Sequence, residues 1–273
     1  MLQTEKLCAG YGRTEIVNAA SFSIAEGEIT SIIGPNGCGK STLLKTVEGH
    51  LPLMGGRICI DGQEIADYSM KSLARKLGCL NQSNLSPSDM TVERLVQYGR
   101  VPYKRFGLSV DAEKDRLAVE RAMSATGVER YRDRLLTSLS GGERQKVWIA
   151  LALAQEPDYL LLDEPTTYLD ICHQMEVLEL LKHLNEEHHI TVVMVLHELN
   201  QAIKYSDQII MMCSGRIIQA GPPEQVITRE SIRDVFSLNC DILRDHANNM
   251  IIAPTGFAEG HVPGHTVKVC PGA

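Results

Sequence analysis

The residues Gly34-Pro35-Asn36-Gly37-Cys38-Gly39-Lys40-Ser41 set three glycines, a lysine and a hydroxyl at fixed spacing. The pattern is GxxxxGK closed by Ser or Thr, and the chemistry it fits is phosphate binding. Glycines let the main chain wrap a β-phosphate with its N–H groups. Lys40 brings positive charge toward the β- and γ-phosphates, the Ser41 hydroxyl offers a magnesium ligand, and Thr42 carries the chain into a helix. The loop lies between an apolar run, Glu28–Ile33, and the helical stretch TLLKTV, which is the context this mechanism needs.

A second set of reactive groups follows. Leu160-Leu161-Leu162-Asp163-Glu164 brings two carboxylates to the end of an apolar run. Ligands of open parallel sheets gather at the carboxyl ends of strands. Asp163 there is suited to hold magnesium through water, and Glu164 to polarise the water that attacks a γ-phosphate. His197 ends a third such run, TVVMVLH, and reads as a γ-phosphate contact. Gln82, after LGCL, is placed to orient water or magnesium. Alone, His197 is a polar strand cap and Gln82 a surface amide; a complete phosphate loop upstream weights both toward chemistry.

The stretch SLSGGERQKVWIALAL, Ser138 to Leu153, poses a question. Ser140, Gly141 and Gly142 directly before an apolar helical run make a second phosphate cradle, with bare N–H groups at a helix N-terminus. One nucleotide needs only one cradle.

These groups require strands to deliver them. Ser21–Ala25 and Glu28–Ile33 read as strands, Arg57–Ile60 with the turn Asp61-Gly62 as half of a hairpin, and Leu77–Leu80 as a short strand. Thr91–Gly99 and Asp111–Thr126 carry helical periodicity with charged outer faces, and no strand is evident before Tyr159, so residues 84–156 read as a helical insertion. YLLLDEP and TVVMVL are runs of the kind buried on both faces of a parallel sheet, and DQIIMMCSGRIIQAG reads as strand, Ser-Gly turn and strand. Asn249–Ala253 suggests one more strand, and the end from Pro254 reads as a loose tail. His261, His265 and Cys270 belong to that tail and read as such rather than as a metal site. The fold class is α/β: a phosphate-loop core interrupted by a helical subdomain.

Composition narrows the function. A net charge of −7 argues against a protein that grips nucleic acid, which usually presents a basic face. MLQTEKLCAGYGR lacks the pattern of a signal peptide, and no apolar run approaches a membrane span, which predicts a cytosolic chain. Eight cysteines without CxxC spacing suit reduced thiols.

With these residues assembled, roughly 1–240 resembles the ATPase subunit of an ATP-binding-cassette (ABC) transporter. GPNGCGKST, Gln82, LSGGERQ at 139–145, YLLLDEPT at 159–166, YLD at 168–170 and His197 occur in the family's order. The resemblance implies an ABC-ATPase fold with an N-terminal antiparallel β subdomain, followed by a C-terminal extension over 241–273. It also implies that two subunits pack head to tail, so that Ser140, Gly141 and Gly142 complete the ATP site of the partner chain. Asp170 then belongs to the loop linking the two sites, and Gln82 couples the γ-phosphate to a membrane partner. Tyr11 matches the aromatic that stacks on adenine; the lesser alternative is a half-buried N-terminal tyrosine.

By the same resemblance, the ATP site of this chain is Tyr11, Gly34, Pro35, Asn36, Gly37, Cys38, Gly39, Lys40, Ser41 and Thr42. Ser41, Gln82 and Asp163 hold Mg²⁺, and Lys40, Gln82, Glu164 and His197 carry catalysis. Cys38 and Tyr168 depart from the smaller residues the family often has there. Two readings of Cys38 stand: a thiolate favoured by the helix N-terminus, or a buried, inert thiol. The segment MTVERLVQYGRVPY, with TTYLDICHQMEVLELL, resembles importers of iron–siderophore, haem and cobalamin, and ferric-siderophore members most. That implies a homodimer of ATPases at the cytoplasmic face of the membrane, with two permease subunits, an external binding protein and no nucleic acid. A soluble ABC-type ATPase acting on ribosomes or DNA, or the ATPase of another transporter class, is the alternative.

Overall fold

A computed structural model of the chain describes residues 1–82, 89–105 and 107–258. The chain divides into two compact units, Met1–Gly62 with Met194–Ala273, and Gln63–Val193. The mixture of parallel strands, an antiparallel N-terminal sheet and helices is the α/β class expected from the sequence.

In the first unit β1 (Leu2–Tyr11) and β2 (Thr14–Ile24) pair antiparallel, Leu2 facing Ile24 and Tyr11 facing Thr14. Side chains alternate between faces of a strand, so Phe22 and Ile24 turn inward while Ser21 and Ser23 face out. β3 (Ile29–Ile33) is buried at every position and leads through the glycine loop into α1 (Lys40–Val47). β4 (Leu53–Ile60) returns antiparallel along the other edge of β1.

The second unit begins with the short β5 (Gln63–Glu64), α2 (Met70–Lys76) and β6 (Leu77–Leu80). α3 (Val92–Gln97), α4 (Ala112–Ala125) and α5 (Gly141–Leu153) then pack on one another. Thr91 and Asp111 cap α3 and α4 by accepting the N–H groups of Arg94 and Lys114. Arg100, only 2% exposed, pins this bundle: Nε donates to Asp115 at 2.8 Å, and Nη1 donates to the Ala154 carbonyl at 2.8 Å and to Glu156 at 2.9 Å. The Tyr103 ring stacks 3.8 Å from its guanidinium carbon. β7 (Tyr159–Asp163), wholly buried, runs parallel to β6 with Tyr159 beside Leu77. α6 (Ile171–His188) packs against α5 and leads to β8 (Thr191–Val195), within which the unit boundary falls.

Back in the first unit come α7 (Leu199–Tyr205), β9 (Gln208–Cys213) and β10 (Arg216–Gly221). β9 pairs parallel with β3 and antiparallel with β10 across the Ser-Gly turn read from sequence. Gly215 is obligatory there: its φ is 79°, and a Cβ would lie 2.0 Å from the Ile16 carbonyl oxygen. α8 (Pro223–Val226) and α9 (Arg229–Phe236) precede a hairpin of β11 (Leu238–Arg244) and β12 (Met250–Phe257). Pro254 to Phe257 thus belong to a strand and not to the tail. Pro254 opposes Cys240 where the hairpin register slips. Asn200 on α7 holds β12 by a two-way contact, donating to the Ile252 carbonyl at 3.1 Å and accepting the Ile252 N–H at 2.8 Å.

Candidate functional site

β3 delivers the chain to Gly34, where no side chain fits. A Cβ there would lie 2.2 Å from the Met212 carbonyl oxygen and 2.8 Å from Cys38 Sγ. Gly37 and Gly39 take left-handed conformations, φ 75° and 106°, and Gly39 is the N-cap of α1. The first turn of α1 therefore starts at Lys40, Ser41 and Thr42, whose N–H groups lie at the positive end of the helix dipole. Lys40 is buried, and its Nζ folds back onto the loop, donating to the carbonyls of Gly34 at 2.8 Å and Pro35 at 3.1 Å. A cation and a row of N–H donors on one short loop form a site for a polyanion.

Cys38 resolves toward the inert reading. It is buried, and burial pushes its thiol above the ordinary cysteine value, outweighing the nearby Lys40 charge. In the same unit Tyr11 ends β1 half exposed, and His197 lies exposed between β8 and α7.

In the second unit β7 ends on Asp163, a carboxylate only 2% exposed. Glu164 follows with φ 54°, a left-handed turn that redirects its side chain. Two neighbours orient that carboxylate. Gln82 donates through Nε2 to Glu164 Oε2 at 2.5 Å, and the Thr167 hydroxyl donates to the same oxygen at 3.0 Å. Thr167 escaped the sequence reading, although its position three residues on, at the end of a turn closed by Thr167 N–H to the Glu164 carbonyl, was the available signal.

The Ser140-Gly141-Gly142 turn opens α5 through a capping box. Ser140 Oγ accepts the Glu143 N–H at 3.3 Å, and Glu143 Oε2 accepts the Ser140 N–H at 2.8 Å. The Tyr131 hydroxyl, followed by the Ser140 N–H, draws the Glu143 pKa down from 4.5 to about 2. Asp170 caps α6, accepting the His173 N–H at Oδ1 (2.9 Å) and meeting His173 Nδ1 at Oδ2 (2.7 Å). Those bonds, the backbone one foremost, hold its carboxyl below the ordinary range. Tyr131 and His173 were also missed, since neither carries a motif of its own.

Lys40, Ser41, Thr42, Tyr11 and His197 thus belong to the first unit, and Gln82, Asp163, Glu164, Ser140, Gly141, Gly142 and Asp170 to the second. His261, His265 and Cys270 lie outside the described residues. Among the described residues no helix is long and apolar enough to cross a membrane.

Comparison with known proteins gives a consistent result. The ABC transporter family profile matches residues 17–167. The ferric enterobactin transport ATP-binding protein FepC of Escherichia coli (strain K12) is 42% identical over 256 residues, 93% of this chain and 94% of that protein. The petrobactin import ATP-binding protein FpuD of Bacillus anthracis is 45% identical over 244 residues, 89% of each chain. Among solved structures, the dimeric bacterial ABC transporter cassette MJ0796 superposes with a TM-score of 0.71 at 29% identity, covering 82% of this chain and 99% of the other.

Proposed function

The chain belongs to the ABC transporter family, and from that premise we propose that it is the ATP-hydrolysing subunit powering import of an iron–siderophore complex through a membrane permease. The observation that carries the reading is the Glu164 carboxylate, oriented by Gln82 and Thr167 immediately after the buried Asp163. A carboxylate held in that way suits activation of the water that attacks a γ-phosphate. Relatives named for ferric enterobactin and petrobactin transport support the class of cargo.

Lys40 and the α1 N-terminus bind the triphosphate, Tyr11 stacks on adenine, and His197 contacts the γ-phosphate. Ser41, Asp163 and Gln82 fit Mg²⁺, a hard cation that takes oxygen ligands. The Gln82 amide nitrogen donates to Glu164, and its carbonyl oxygen is the atom suited to Mg²⁺. Bound Mg²⁺ would offset charge on the β- and γ-phosphates. Ser140, Gly141, Gly142 and Asp170 act on the nucleotide of a second copy, which answers the question posed by two cradles in one chain. The assembly is a homodimer on the cytoplasmic face of the membrane, bound to two permease subunits and served by an external binding protein.

Deleting this ATPase and testing growth on ferric siderophores, haem and cobalamin, each as sole source, checks the assignment. Loss confined to a ferric siderophore is expected; undiminished growth on all of them would sink it.

A further inference from the structure

One side chain of the second unit touches both elements that the proposed dimer turns toward a neighbour's nucleotide. The His173 side chain packs against Gly142, its Cδ2 nearest: a Cβ at 142 would sit 2.1 Å from His173 Cδ2 and 2.6 Å from Cγ. The opposite edge of the same ring meets Asp170, with Nδ1 2.7 Å from Oδ2, while the His173 N–H occupies Oδ1 at 2.9 Å. Both oxygens of the α6 cap are therefore held by one residue, and that residue is wedged against the first turn of α5. A neighbouring ion pair braces the surround: Lys146 on α5 bridges to Glu176 on α6 at 2.6 Å.

We infer that His173 is a positioning residue that makes the Ser140-Gly141-Gly142 turn and the Asp170 cap move as one body. The physical basis is packing in two directions. The absence of a side chain at Gly142 is what lets the ring approach, and the carboxylate fixes the ring's rotation by bonding Nδ1. A shift of the Asp170 loop must then drag the ring, and the ring must displace the α5 N-terminus, because close-packed groups at van der Waals contact do not deform independently. The inference rests on the proposed sharing of the two cradles and adds a residue to it. ATP hydrolysis in one pocket would be sensed at Asp170 and relayed to the serine-glycine turn through a single imidazole.

A double-mutant cycle tests the contact without nucleotide. Unfolding is followed by fluorescence of Trp148, the sole tryptophan, which lies on α5. Gly142→Ala should lower the midpoint in the parent chain and lower it distinctly less in His173→Ala, where the ring has gone. ATP turnover tests the role. His173→Ala should cut kcat by on the order of tenfold or more, as misplacement of a positioning element does, while ATP still binds the Lys40 loop with parent affinity. His173→Asn, whose amide can replace Nδ1 toward Asp170, should recover part of that loss. Equal cost of Gly142→Ala in both backgrounds, or a His173→Ala protein within twofold of parent kcat, would overturn the inference. Ser140→Ala separates the two levels: if it too hydrolyses ATP at the parent rate, the shared-pocket reading has failed; if it is impaired while His173→Ala is not, only the relay has.

Discussion

Gln82 and Glu164, 82 positions apart, meet side chain to side chain, with the glutamine amide donating to the carboxylate over 2.5 Å. An amide donor is a well-chosen neighbour for a general base. It fixes the orientation of the carboxylate without placing a full positive charge beside it.

Replacing Glu164 with Gln removes the proposed base at nearly constant volume. ATP binding is expected to persist while turnover falls by about 10²- to 10⁴-fold, the usual worth of a positioned acid–base group. Steady-state phosphate release beside equilibrium nucleotide binding measures both. A variant that hydrolyses at the parent rate contradicts the role given to Glu164.

Gln82→Ala leaves the proposed base in place, still accepting from the Thr167 hydroxyl. The expected signature is a fall in kcat with little change in KM, since orientation of the attacking water is lost and not binding of ATP. A rise in KM alone would point instead to a binding role.

Arg100 is a stability prediction. Its guanidinium is buried between Asp115, Glu156 and the Tyr103 ring. Arg100→Ala takes a partner from each of two carboxylates, leaving Asp115 with Ser109 and Glu156 with Arg121, and opens a void; breaking a buried pair costs up to about 3–5 kcal/mol. Arg100→Lys should recover little, because an ammonium cannot reproduce the planar fork or the stacking. Urea unfolding of the three proteins checks the order.

Glu143 predicts a pH dependence. Its folded pKa, about 2, lies below the ordinary 4.5, so its stabilising effect is fully present above pH 4.5. The effect declines as pH falls from 4.5 toward 2, where the folded-state carboxylate takes up its proton. Thermal midpoints of the parent and Glu143→Gln should therefore differ most near neutrality and converge on acidification. A gap that widens toward pH 3 would contradict the bonds from the Tyr131 hydroxyl and the Ser140 N–H as the source.

Legibility from sequence followed the locality of the interaction. The phosphate loop, the strand end at Asp163 and the helix start at Ser140 are each written in consecutive residues, whereas His197, read as a strand end, lies two residues beyond β8. Arg100 was not legible: its partners, Asp115 and Glu156, lie 15 and 56 positions away and come together only once the bundle forms. The approach of His173 to Gly142 was hidden for the same reason. β12 was misread beyond Ala253 because a proline at position 254 ordinarily argues against a strand, and only the slipped register beside Cys240 accommodates it.

The grip of Asn200 on Ile252 gives the last hairpin a mechanical task. α7 starts two residues after His197, so whatever steadies α7 also steadies the histidine's backbone. A shortened protein ending at residue 240 would shed β12 and the backstop with it. Such a protein should still fold its phosphate loop and take up ATP. Its turnover, however, should drop, and adding back the missing strand as a peptide should be the quickest way to see whether the rate returns.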